Sequence, residues 1–127
     1  MSHSSQSKKF IIIYITYPNL KEAKKVSNIL LKERLIACVN YFPIESAYWW
    51  PASSKLQPAS PSLGGRGERG KIKNSKEIVS IVKTKKANWE KVRKAVGAIH
   101  PYEIPCIMKL EVGSNKLYAD WIVKETE

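Results

Sequence analysis

The stretch His100-Pro101-Tyr102-Glu103-Ile104-Pro105 constrains the fold more than any other part of the sequence. Each proline fixes φ and removes a backbone donor, so the segment cannot lie inside a helix. On its N-terminal side Trp89, Val92, Val96 and Ile99 recur at helical spacing. On its C-terminal side Ile104, Cys106, Met108 and Leu110 alternate as in a strand. The prolines therefore form a stiff elbow between a helix and a strand. An imidazole, a phenol and a carboxylate fall within four residues on backbone that cannot relax, which suits a pre-shaped site. The same side chains could equally satisfy neighbouring backbone in a rigid connection, and both uses stay open at this point.

Upstream of the elbow the periodicities alternate. Residues 10–16 form a nearly continuous β-branched, apolar run, as a strand buried on both faces does. Asn19 is placed to cap a helix, with Glu22 three residues on, and Ala23, Val26, Ile29 and Leu30 supply that helix's apolar stripe until about Glu33-Arg34. A second strand opens at residues 35–41 and continues to Trp50 through Pro43, which assigns it to a sheet edge or a bulge. A returning strand begins near Ile72 and ends at Lys83-Thr84, and a helix follows over residues 87–98. After the elbow come a strand over 104–112, a turn at Gly113-Ser114-Asn115 and a short helix over 117–124. The order is βαββαβ plus a C-terminal helix. Right-handed crossovers turn that order into a four-stranded antiparallel sheet with both helices on one face, an α+β, ferredoxin-like arrangement.

Residues 51–70 break this pattern. Pro51, Pro58, Pro61, four serines and four glycines crowd into a segment without periodicity, so it is read as a disordered insertion at a hairpin tip. Residues 1–9 are small and polar and are read as a disordered tail, which leaves 10–127 as a single domain. No apolar run approaches the roughly 20 residues that span a bilayer, so no membrane partner is expected. Lys8 and Lys9 before the apolar run imitate a signal peptide, but the run is short and Tyr17-Pro18-Asn19 is no cleavage site. A soluble, cytoplasmic protein is expected.

The net charge is +11, of which the tail and the 51–70 segment each contribute +2. The densest cluster, Lys83, Lys85, Lys86, Lys91, Arg93 and Lys94, reads as a solvated helix face. Nucleic acid is not an expected partner. The run Lys76-Glu77-Ile78-Val79-Ser80-Ile81-Val82 carries none of the aromatic residues on which an RNA-recognition sheet stacks bases. Cys38 and Cys106 lie 68 positions apart with no second cysteine or histidine at zinc spacing, and each sits among apolar neighbours as a small hydrophobe would.

Several motifs, in order, resemble one family. They are Glu33-Arg34-Leu35-Ile36-Ala37-Cys38-Val39-Asn40, Ser46-Ala47-Tyr48-Trp49-Trp50, Gly70-Lys71-Ile72, Lys83-Thr84 and the elbow itself. Together they resemble the CutA divalent-cation-tolerance family from Phe10 to Trp121. The resemblance implies a ferredoxin-like subunit in a tight homotrimer, and a role in tolerance of divalent metals, copper above all. Two departures stand out: Trp50 and Gly70 are separated by the low-complexity segment, and Cys106 follows the second proline where the family usually has an acidic residue.

A trimer also suits the edge strands, which are hazardous unless paired. It would bring Trp50, Lys83, Thr84, His100, Tyr102 and Glu103 to an inter-subunit cleft. If copper or another divalent cation binds weakly there, Cys38, His100 and Cys106 are the candidate soft ligands, with Glu103 orienting the imidazole. The alternative is a sensor like the PII-type trimers, with a small anionic metabolite in the cleft. Catalysis is not expected, because no serine or cysteine nucleophile lies beside Lys83, His100 and Glu103 in a recognisable motif.

Overall fold

The computed structural model describes residues 6–51 and 70–127. Apart from its two end residues, the expected insertion at 51–70 lies outside the described residues, as do residues 1–5 of the expected tail. The main sheet has four strands: β2 (Phe10–Tyr17), β3 (Cys38–Pro51), β4 (Gly70–Lys85) and β5 (Ile107–Glu111). They are ordered β3-β4-β2-β5, and every neighbouring pair is antiparallel. Helix α1 (Leu20–Lys32) carries the chain from β2 across β4 to the far edge, and α2 (Trp89–Ile99) carries it from β4 across β2 to the other. This is the expected ferredoxin-like topology. A third helix, α3 (Lys116–Glu125), closes the chain.

Alternation along β2 builds the core. Ile11, Ile13, Ile15 and Tyr17 are fully buried, and they pack with Ala23, Val26 and Leu30 of α1, Val92 and Val96 of α2 and Val82 of β4. Each such side chain contributes roughly 1.5–3 kcal/mol by leaving water. On the opposite face, at one end, Phe10 packs with Ala119 and Ile122 of α3. Met108 and Leu110, from the same face of β5, remain about half exposed.

Local chemistry explains the boundaries. The Asn19 side chain accepts a hydrogen bond from the Glu22 amide at 2.9 Å, starting α1 as expected. Arg34 ends it in left-handed backbone, φ 61°. Ile29 and Ile99, expected on the buried stripes, lie at their margins and are 37% and 38% exposed, whereas Ser27 is buried in α1. Strand β5 begins at Ile107, three residues later than expected, because Pro105 has no amide to give to a ladder. The tail expected to be unstructured through residue 9 is paired from residue 6. Strand β1 (Gln6–Ser7) lies antiparallel to β6 (Ser114–Asn115), and Lys9 Nζ meets Asp120 at 2.9 Å.

Strands β3 and β4 continue together well past the end of β2. Tyr17 pairs with Ile78, and from Ile44↔Glu77 to Pro51↔Gly70 the two strands have no third neighbour among the described residues. These eight pairs make a ribbon roughly 26 Å long, at about 3.3 Å per residue. Edge position also explains how Pro43 is tolerated in β3.

Candidate functional site

The elbow is fastened by its histidine. His100 is buried, its ring stacks on Tyr17 with centroids 4.6 Å apart, and its Nδ1 accepts the Tyr102 amide hydrogen at 3.0 Å. An amide can only donate, so the ring proton sits on Nε2, which donates to the Thr16 carbonyl at 2.7 Å. Both nitrogens are thus engaged with backbone. Burial holds the imidazole below its ordinary pKa, partly offset by the Thr16 carbonyl. Of the two uses open for this segment, His100 takes the second: it ties the elbow to the end of β2.

Tyr102 projects from this anchor and donates its hydroxyl to Glu77 Oε2 at 2.7 Å; burial first, and the carboxylate second, push its pKa up. The elbow and the ribbon thereby enclose a cleft of about 530 Å³. Its walls include Tyr48, Trp50, Lys73, Glu77, Tyr102 and Cys106, with Glu103 at the rim. Tyr48 bonds Ser75 Oγ at 3.0 Å, and Lys73 Nζ lies 4.2 Å from the centre of the Trp50 ring. The Cys106 thiol is pushed up by burial and by Glu77.

Within one chain, three of the six residues expected at an inter-subunit cleft, Trp50, Tyr102 and Glu103, border the same pocket, and His100 bonds the Tyr102 amide beside it. Lys83 and Thr84 do not. Thr84 is fully buried, donating to the Leu35 carbonyl at 2.6 Å and accepting from Asn88 at 3.1 Å, so it fastens the chain entering β3. Lys83 bonds Asn40 and lies 3.9 Å from Cys38 Sγ near α3, with its ammonium 5.8 Å from the Tyr118 ring centre. Tyr48, Lys73, Ser75 and Glu77 were missed by motif reasoning. Strand alternation would have placed them beside Trp50 once the Pro51↔Gly70 register was known.

The proposed metal ligands do not converge within the chain. Cys38 lies in register with Lys83 and Ile12, whereas His100 is bonded at Thr16, four residues or roughly 13 Å along β2. The Nδ1 lone pair a metal would need is already used by Tyr102. Among the described residues no three His, Cys, Asp or Glu side chains are grouped to hold a metal ion. The described residues of one chain do not fit a resident metal centre. No helix among the described residues is long and apolar enough to cross a membrane.

Comparison with known proteins agrees with this architecture. The family model described as CutA1 divalent ion tolerance protein matches residues 11–57 and 68–125, breaking off inside the low-complexity segment. The divalent-cation tolerance protein CutA of Pyrococcus horikoshii is 36% identical over 118 residues, covering 92% of this chain and 98% of that one. The structure of the periplasmic divalent cation tolerance protein CutA from Archaeoglobus fulgidus superposes with a TM-score of 0.77 at 36% identity, covering 93% and 99% of the two chains. The divalent ion tolerance protein of Ehrlichia chaffeensis gives 0.77 at 30% identity, covering 94% and 97%.

Proposed function

Because the chain belongs to the CutA1 divalent ion tolerance protein family, we propose that it serves divalent-cation tolerance as a cytoplasmic homotrimer whose elbow cleft is completed by a neighbouring subunit. No enzymatic activity is known for that family. The observation that carries the assembly is the unsupported ribbon. Two-stranded ribbons are marginal in water. This one pairs Trp49 with Ile72 at its outer end, and those side chains are 67% and 62% exposed. A second chain covering the pair, and joining the free edge of β3 or β5, would remove both the apolar exposure and the open edges. The free thiols of Cys38 and Cys106 suit a reducing compartment.

On this reading copper, or another divalent cation, is contacted weakly and not held in a resident centre. Cys106, with Glu77 and Glu103 in the same cleft, is the soft donor within reach of solvent, while His100 is withheld by its backbone bonds. Copper(II) titration of wild type, Cys106→Ser and His100→Gln separates the roles. Affinity should fall with the serine and survive in the glutamine variant. Binding lost only in a folded His100→Gln protein would overturn this assignment.

A second reading is favoured by the cations of the cleft. Among the described residues neither Lys73 nor Lys76 has a carboxylate partner, an arrangement suited to a small anion, as in a PII-like trimeric sensor. A thermal-shift screen of nucleotides and carboxylates tests it: stabilisation should grow with ligand concentration. A flat response to every anion would remove this reading.

A further inference from the structure

We infer that the cleft selects a small planar aromatic monoanion, its ring against the Trp50 and Tyr102 walls and its carboxylate on Lys73. The inference rests on the small-anion reading of the same cleft and adds the chemical class of the ligand.

The class follows from what the walls still offer. Tyr48 and Tyr102 have committed their hydroxyls to Ser75 and Glu77, so both present ring surface and not a free polar end. Trp50 brings a third ring to the same wall, 6.5 Å from Tyr48 and tilted by 54°. Aromatic rings favour offset or edge-on contact with another ring over contact with an aliphatic group of equal area. The cleft therefore distinguishes flat π-systems from saturated rings of similar bulk. Its volume of about 530 Å³ admits a one- or two-ring molecule.

The charge follows from the ammonium groups. Among the described residues the Lys73 ammonium has no carboxylate partner and rests on the Trp50 ring, and Lys76 also borders the cleft. A carboxylate set beside Lys73 gains an ion pair while the ammonium keeps its aromatic contact. The groups facing this position also include two carboxylates, Glu77, bonded to Tyr102, and Glu103 at the rim. They oppose a second negative charge, so dianions should bind less well than monoanions.

Calorimetric titration of the full chain with four probes tests each part: 2-naphthoate, decahydronaphthalene-2-carboxylate, 2-naphthalenemethanol and naphthalene-2,6-dicarboxylate. Saturable binding of 2-naphthoate is expected, tighter than each of the other three by about tenfold. Lys73→Gln should weaken 2-naphthoate about tenfold and leave the neutral alcohol unchanged, and Trp50→Leu should weaken both. Equal affinity for decahydronaphthalene-2-carboxylate, or no effect of Lys73→Gln, overturns the aromatic or the anionic part respectively. Absence of 2-naphthoate binding overturns the whole inference. If other anions still raise the melting temperature, the broader small-anion reading survives that result; if none does, both fall.

Discussion

His100 couples protonation to folding. Its neutral form donates through Nε2 to Thr16 and accepts through Nδ1 from Tyr102, and a second ring proton would set two donors against each other. The folded pKa is therefore below the ordinary value of 6.5, burial being the main cause. A group whose pKa is depressed by folding takes up protons first in the unfolded chain. The stability it confers is full above the unfolded pKa and is lost as pH falls through 6.5 toward the folded value. Urea unfolding at pH 7.5 and pH 5 should show wild type losing more stability than His100→Gln over that interval. Equal losses in the two proteins would show that another group controls acid sensitivity.

At the scale of elements, the hairpin decides where the cleft lies. Pro51 and Gly70 are Cα partners, so residues 52–69 connect two chain ends already side by side. Replacing those residues with Asn-Gly shortens the connection about ninefold. Loop-closure entropy then predicts a gain of up to about 2 kcal/mol, read as a higher urea midpoint, with the cleft residues undisturbed. A large loss would mean that the segment supports the ribbon. The alternation of periods along the chain was enough to read the order of elements, the Asn19 cap and the edge position of β3. The late start of β5 was not read, because an alternating pattern from Ile104 looks strand-like whether or not Pro105 can join a ladder. Nor was the hydrogen bonding of His100 and Thr84 legible. Both bond carbonyls distant in sequence, at Thr16 and Leu35, and only tertiary structure brings those together. For the same reason, the motif around Lys83-Thr84 suggested a cleft where the fold uses Thr84 as a buried fastener.

For the whole molecule, the single chain leaves three kinds of surface unresolved by its own packing: the edges of β3 and β5, the Trp49–Ile72 end of the ribbon, and Met108 with Leu110 on the open sheet face. One threefold assembly can cover all three, and it would close the elbow cleft against a neighbour. Sedimentation equilibrium of the wild-type chain from about 1 to 100 µM is the most direct measurement, chosen to bracket affinities from weak to obligate. The account predicts a mass three times that of the chain, unchanged across the range, and a shift to smaller species for the Trp49→Asp, Ile72→Asp double variant. A folded wild-type protein that sediments as a single chain throughout would contradict it.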